Sequence, residues 1–416
     1  MSRLLRAAML PPPAPAPATT FPNAGNTGAN LAGFNLVSVP SQATSGPGWS
    51  WNSGSNYVYI SGTSCTFSGY TIPTGGIYVH GANSLIENCY VGGSFGIYGS
   101  TPANYTTVNN CQLVIPGGGT GCVLFEAGPS YNTVSNCTLS GTNQGAGRMS
   151  SGIVCNNADP LFTMFGNNIF WVKNAFENAQ APTGVCTVDM YGNYVHDLGF
   201  VALDHTDCIY MSYGLGGNIY GNTLFNQLAE SDIVDPTAMN PTPLAITGNL
   251  MGGAGYVVYG GTPTDHVSYS GPAQFFTFTG NYFTTQFFPN GGYYGPIGNW
   301  GVGQNGGTNV WADNYWYDGP LAGQLVPSVE AFTYHTPPAV PASGTPLANP
   351  FGVPCTVVVT APAGCTLTGV SSTPQTVLIP PAGATSQIMI PGATMTAAAS
   401  VTLTYTGTAP TWTWTA

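Results

Sequence analysis

The sequence predicts an all-β chain: a right-handed parallel β-helix of about ten coils followed by a small C-terminal β-sandwich. A recurring phrase carries the first part, an apolar residue, then a Gly or polar residue, then Asn, then Cys or an aromatic. It reads Ile86-Glu87-Asn88-Cys89, Val108-Asn109-Asn110-Cys111 and Val134-Ser135-Asn136-Cys137, then Phe165-Gly166-Asn167-Asn168, Tyr191-Gly192-Asn193-Tyr194 and Tyr220-Gly221-Asn222-Thr223. It returns as Thr247-Gly248-Asn249-Leu250, Thr279-Gly280-Asn281-Tyr282 and Ala312-Asp313-Asn314-Tyr315. Steps between the Asn residues are 22, 26, 31, 26, 29, 27, 32 and 33, a spacing that fits one coil per repeat with loops of unequal length. A second phrase interleaves with it, Gly or Asp leading into β-branched residues, as in Gly76-Ile77-Tyr78-Val79, Gly152-Ile153-Val154-Cys155 and Asp232-Ile233-Val234. Each repeat therefore holds at least two short strands between Gly and Asn bends.

Coils stacked at roughly 4.8 Å place equivalent residues above one another, so the Asn residues from Asn88 to Asn314 are expected to form one longitudinal column. Cys89, Cys111 and Cys137 follow that Asn and should make a column of buried, unpaired thiols, since free Cys packs as a small hydrophobe. Neither a CxxC pair nor a His/Cys spacing for zinc occurs among the 10 cysteines.

Along the chain, residues 1–20 read as a tether, stiffened by the prolines between Pro11 and Pro17. The apolar part of the first ten residues is short for a secretory signal. Residues 21–336 carry the β-helix, with a Gly-, Asn-, Pro- and Ser-rich stretch up to residue 54 expected to cap the first coil. Residues 337–350, PPAVPASGTPLANP, read as a linker. Residues 351–416 alternate as short strands, such as Thr356-Val357-Val358-Val359 and Val401-Thr402-Leu403-Thr404-Tyr405, and form the sandwich. The alternating Trp412 and Trp414 either fill its core or present a sticky face.

Composition excludes whole classes of partner. With 43% hydrophobic and only 5% charged residues, the chain can bury a long core beneath a polar, uncharged surface. Its 4 Lys and Arg and net charge of −11 leave no basic patch for nucleic acid. No apolar run of about 18 residues is present to span a membrane as a helix.

Candidate chemistry concentrates between residues 196 and 235. Of 15 + 5 = 20 acidic and His residues in the chain, this stretch holds His196, Asp197, Asp204, His205, Asp207, Glu230, Asp232 and Asp235. If Ile209 and Ile233 are equivalent, Asp207 and Asp232 lie on successive coils at or beside one column, roughly 5 Å apart along the axis. Paired carboxylates at that distance share a proton, bind a cation, or serve as acid and nucleophile of a retaining glycosidase. Asp207, Asp232 and Glu230 are accordingly the candidate catalytic residues, with Glu230 as general acid. Asp204, Asp207 and Asp232 are the candidate metal ligands, and an oxygen-only set suits Ca²⁺. The plainer alternative has Asp207 and Asp232 bonding backbone amides at strand starts.

A second candidate is aromatic. Tyr293, Tyr294, Trp300, Trp311 and Trp316 crowd the last coils, and exposed Tyr and Trp faces on a rigid scaffold suit sugar rings. The alternative reading is an aromatic plug that closes the end of the helix.

Two resemblances extend this reading. Thr20-Phe21-Pro22-Asn23-Ala24-Gly25-Asn26-Thr27-Gly28 ahead of the repeats, with Leu403-Thr404-Tyr405 and Ala409-Pro410-Thr411-Trp412-Thr413-Trp414 at the end, resemble the entry and exit segments of tail and other virion proteins from bacteriophages of actinobacteria. The repeats resemble the pectate lyase-like superfamily, and Asp204-His205-Thr206-Asp207-Cys208-Ile209 is similar to its His-Thr-Asp-Gly-Ile segment, with Cys208 in place of Gly. These likenesses imply a virion component made in the host cytoplasm, structural and binding a host-surface glycan, associated with other virion proteins and assembled as a homotrimer. The alternative they leave is a glycan-cleaving depolymerase on the same scaffold, a glycoside hydrolase or lyase, or a secreted protein. The paired-Asp, Gly-His-Gly and Arg-Ile-Lys motifs of polygalacturonases are absent. Neither Arg148 nor Lys173 lies in the acidic stretch, where a lyase would need its base.

Overall fold

In a computed structural model the chain divides into two compact units, residues 1–326 and 327–416. Described are residues 20–93, 97–99, 103–116, 121–125, 131–143, 151–156, 161–178, 186–199, 206–211, 215–228, 232–235, 243–259, 276–298, 309–326, 334–335, 339–349, 356–373, 376–378, 387–390 and 400–415.

The first unit is a parallel β-helix. Three sheets of 12, 11 and 10 strands run its length. From the first, the antiparallel strands Ser45–Gly46 and Trp49–Asn52 are set aside, and from the second the strand Val37–Ser38. Each sheet then supplies ten parallel strands among the described residues, 12 − 2, 11 − 1 and 10, and each successive triplet from Tyr57–Ile60 to Tyr315–Trp316 makes one coil. Apolar residues form the inner rungs. On one face Val123, Ile153, Phe176, Ile209 and Val234 follow one another in register, all at 0% exposure. No described helix is long and apolar enough to cross a membrane.

The Asn pattern resolves into two neighbouring columns rather than one. Asn110 aligns with Asn136, then with Gly166, because Ser135 pairs with Phe165. This first column turns the corner in the left-handed region, with φ of 54°, 49° and 51° at Asn88, Asn110 and Asn136. It continues at 66° and 64° at Gly166 and Gly192 and ends at 53° at Asp313. Asn, Gly and Asp are the residues that tolerate such a backbone.

The next residue of each repeat points inward: Cys89, Cys111 and Cys137 in the lower coils, then Asn167, Asn193, Asn222, Asn249, Asn281 and Asn314. All nine are at most 1% exposed. The step of 31 from Asn136 to Asn167 marks the crossing from one column to the other. The cysteines are buried and unpaired as expected.

Ordinarily a buried carboxamide is costly, and here stacking satisfies it. Asn193 donates both its backbone N–H (3.0 Å) and its Nδ2 (2.9 Å) to Asn222 Oδ1, and Nδ2 also donates to the Met164 carbonyl at 3.1 Å. The same two-donor contact repeats from Asn167 to Asn193, Asn222 to Asn249, Asn249 to Asn281 and Asn281 to Asn314. At the lower end, the Cys137 N–H donates to Asn167 Oδ1 at 2.9 Å.

The N-terminal stretch does more than cap the first coil. Residues 37–60 do that, through Val37–Ser38 and the hairpin Trp49–Asn52 with Tyr57–Ile60. Residues 20–36 instead form a strap along the outside of the barrel. Phe21 packs edge-on to Tyr282 and Tyr317, both at 5.7 Å, at the far coils. Gly28 N–H donates to the Gly166 carbonyl at 2.8 Å, Ala29 N–H to Thr138 Oγ1 at 3.0 Å, and Asn30 exchanges hydrogen bonds with the Asn110 side chain. At Gly28 a Cβ would meet Thr138 Oγ1 at 2.7 Å and Asn168 Cβ at 2.8 Å, so the contact requires glycine. Except for residue 20, the expected tether at residues 1–20 lies outside the described residues.

At the other end the chain folds back over the last coil. Val326 N–H donates to the Asn314 carbonyl at 2.7 Å, and Trp316 N–H to the Gln324 carbonyl at 2.9 Å.

The second unit is a β-sandwich of two four-stranded antiparallel sheets. Its core holds Val357, Val359, Leu367, Val370, Val401, Leu403 and Trp412, so Trp412 fills the core. The side chain of Trp414 lies outside the described residues. The expected linker is not a free connection. Within 337–350, Pro346–Ala348 pairs with residues 400–402, and Tyr334–His335 pairs with residues 414–415, so the sandwich begins before residue 351. Their extended backbones meet open strand edges, which the Pro-rich composition concealed.

Candidate functional site

The acidic stretch is divided by the fold. His196 follows Tyr194–Val195 in the 11-stranded sheet, whereas Asp207 precedes Ile209–Met211 and Asp232 begins Asp232–Asp235 in the 12-stranded one. His196 Nδ1 lies 2.7 Å from Asp197 Oδ2, Nε2 lies 2.9 Å from Asn168 Oδ1, and the ring stacks on Tyr194 at 4.2 Å.

Ile209 pairs with Val234, not Ile233, and Tyr210 pairs with Asp235. That offset, 234 − 209 = 25, equals 232 − 207, but the pairing begins at Ile209, two residues beyond Asp207. Asp207 is 1% exposed; its N–H donates to Asn174 Oδ1 at 2.9 Å and its carbonyl accepts from Ala175 N–H at 3.1 Å. Burial pushes the neighbouring Cys208 thiol well up, and the Asp207 charge adds to the shift. A side chain covered this fully offers no open face to a polysaccharide. Asp204, Glu230 and the side chain of Asp232 lie outside the described residues. No group of three His, Cys, Asp or Glu suited to a metal occurs among the described residues.

The aromatics of the last coils take different places. Trp316 is 4% exposed, and Trp311 lies stacked on Phe278 at 4.8 Å with its Nε1 donating to the Val326 carbonyl at 3.0 Å. Both therefore pack at the end of the barrel, Trp316 buried and Trp311 half-buried against Phe278. Tyr293 is half-buried between Phe288 and Tyr294, while Tyr294 stands 54% exposed beside Tyr256. Trp300 lies outside the described residues.

A third arrangement is set by register. The residue directly after each inward Asn points out of the 11-stranded sheet, and Asn168, Tyr194, Thr223, Leu250, Tyr282 and Tyr315 are successive rungs of that outer column. The strap crosses this face and borders an open cleft of about 290 Å³. Phe21 and Asn23 form the strap wall, and Tyr194, Thr223, Phe225 and Tyr317 the wall from the sheet. Phe225 meets Tyr194 edge-on at 6.3 Å and Phe287 at 5.4 Å.

Burial raises the Tyr194 phenol, and the Asp197 charge adds to this, so it stays protonated at neutral pH. Thr223 is 2% exposed; its hydroxyl has no hydrogen-bond partner among the described residues and no surface open to the cleft, a deficit of roughly 1–3 kcal/mol. The signal for these residues lay in the repeat phrase itself, one place beyond the Asn, but only the register shows which face they share.

No family model, curated protein or solved structure matches the chain.

Proposed function

We propose that this chain is a virion tail component whose β-helix binds a glycan on the host surface without cleaving it. The observation that carries the binding reading is the aromatic-lined cleft between strap and sheet. Aromatic rings take the C–H faces of sugars. The fully paired Asn ladder supports the β-helix, since it ties six coils by side-chain contacts that add to the strand pairing. The virion assignment draws on the end segments described above. A homotrimer belongs to the same reading, because flanks in a chain only 5% charged pack without repulsion. Light scattering should then give three times the 43.0 kDa chain mass.

The experiment is a glycan array probed with the full chain. Binding without release of shortened sugars supports the reading, sugar release replaces it with a depolymerase, and no binding removes it.

A further inference from the structure

The thiols of the β-helix do not all stand in the same relation to one another. Cys89, Cys111 and Cys137 follow in register on successive parallel strands, so their side chains point the same way. Their sulfurs are therefore held apart by about one strand spacing, roughly 4.8 Å. Two thiols of the next coils meet differently. Cys155 closes the strand Ser151–Cys155 of the 12-stranded sheet, and Cys186 opens the strand Cys186–Tyr191 of the 10-stranded sheet, one coil further on. They enter the interior from two sheets across one corner of the barrel, so their side chains converge, and Sγ stands 3.6 Å from Sγ.

Convergence is what a disulfide requires. The bond needs sulfurs about 2.05 Å apart on side chains that point towards each other, and a modest change of side-chain torsion covers the difference from a contact at 3.6 Å. Both residues carry thiols and both are 0% exposed. An oxidant has no path to a sulfur so covered, which fixes when the bond forms. Exchange takes place while this part of the barrel is open, during folding or a local opening, and the closed coil then shields the bond from reductant.

We propose that Cys155 and Cys186 are a disulfide-forming pair, a covalent staple between successive coils that closes when the chain meets a low-molecular-weight disulfide such as glutathione disulfide. One thiolate attacks a sulfur of glutathione disulfide, forms a mixed disulfide and releases one glutathione thiol. The second thiolate attacks the protein sulfur of that mixed disulfide and releases the other. One S–S bond is broken and one is formed, and the two electrons and two protons lost by the cysteines leave as two molecules of reduced glutathione. The staple closes a loop across a separation of 31 residues, which restricts the unfolded chain, and it stands independently of the glycan reading.

The test uses the folded full chain, incubated with glutathione disulfide in two arms, one in buffer alone and one in urea below the unfolding midpoint, where local opening is more frequent. Remaining thiols are blocked with N-ethylmaleimide and the peptides are mapped without reduction. The pair predicts a peptide linking Cys155 to Cys186 in the urea arm, lost on treatment with dithiothreitol, while Cys89, Cys111 and Cys137 are recovered as blocked thiols. After removal of urea the linked chain should melt on the order of 5 °C above the reduced chain, and glutathione disulfide should give no such rise in Cys186→Ala. The same linked peptide in buffer alone supports the pair and shows that this coil opens without denaturant. Absence of the linked peptide from both arms would overturn the proposal. Links from Cys155 or Cys186 to other cysteines as often as to each other would also overturn it, because their convergence would then select nothing. A linked chain that melts no higher than the reduced one would overturn the staple.

Discussion

Asn193 and Asn222 are joined by two hydrogen bonds to one atom: Asn222 Oδ1 accepts the backbone N–H of Asn193 at 3.0 Å and its side-chain amide at 2.9 Å. Removing that oxygen leaves the buried Asn193 N–H unmatched, at roughly 1–3 kcal/mol, and takes one acceptor from an amide that keeps the Met164 and Tyr191 carbonyls. Asn222→Ala should therefore destabilise the β-helix by about 1–3 kcal/mol, read as a lower midpoint in urea.

The cysteines below the ladder suggest a graded version of the same experiment. Cys137 Sγ already accepts the Cys111 N–H at 3.5 Å, so sulfur can stand where the carboxamide stands. Asn167→Cys extends the thiol column by one rung and should lower stability less than Asn167→Ala. Asn222→Cys, placed between two carboxamides, should be close to the alanine variant. Equal losses in all three would show that the column is held by packing alone.

Burial governs the thiols themselves. It pushes Cys122 from 9.0 up to about 12 and raises Cys111 well above its ordinary value, with neighbouring Cys137 and Cys89 adding to the shift. The folded state therefore keeps protons that the unfolded chain releases first. By linkage, this contribution is fully present below pH 9.0 and is lost as pH rises towards about 12. Denaturation midpoints should be flat on the acid side of that window and fall within it. Iodoacetamide followed by mass spectrometry should leave Cys89, Cys111 and Cys137 unlabelled in the native chain at pH 8 and label them in urea. Labelling at the native rate of a free thiol would contradict the burial.

Gly28 controls the strap. Gly28→Val introduces a side chain where Thr138 and Asn168 already stand, at a φ of +89° that Val adopts only under strain. Hydrogen exchange at residues 20–36 should accelerate while the ladder amides stay protected. Unchanged protection of the strap would mean that its docking does not depend on this contact.

In the sandwich, Tyr405 donates its hydroxyl to the Pro341 carbonyl at 2.9 Å. Tyr405→Phe should cost about 1 kcal/mol, measured as a shift of the unfolding midpoint, and leave the β-helix untouched.

Much of the β-helix was legible because stacking makes its pattern periodic. The Asn-Cys and Gly-Asn phrases recur once per coil, and each inward residue meets its own kind on the next coil. Register was less legible. Asn88 and Asn167 look equivalent in the phrase yet occupy neighbouring columns, since the left-handed corner accepts Asn or Gly while the inward place accepts Cys or Asn. A shift of one residue is invisible to spacing alone and decides which side chains face inward. The same limit hid the cleft: Tyr194 and Phe225 come to share one wall only once the coils are aligned and the strap is seen to cross them. Trp311 and Trp316 looked like a binding surface because aromatic content does not distinguish a plug from a platform.

The central claim, that this β-helix attaches to a surface glycan, is tested most directly by binding of the fluorescently labelled full chain to actinobacterial cells before and after mild periodate oxidation of their surface sugars. Saturable binding that periodate abolishes is the expected result. Absence of binding, or binding that survives periodate intact, would contradict it.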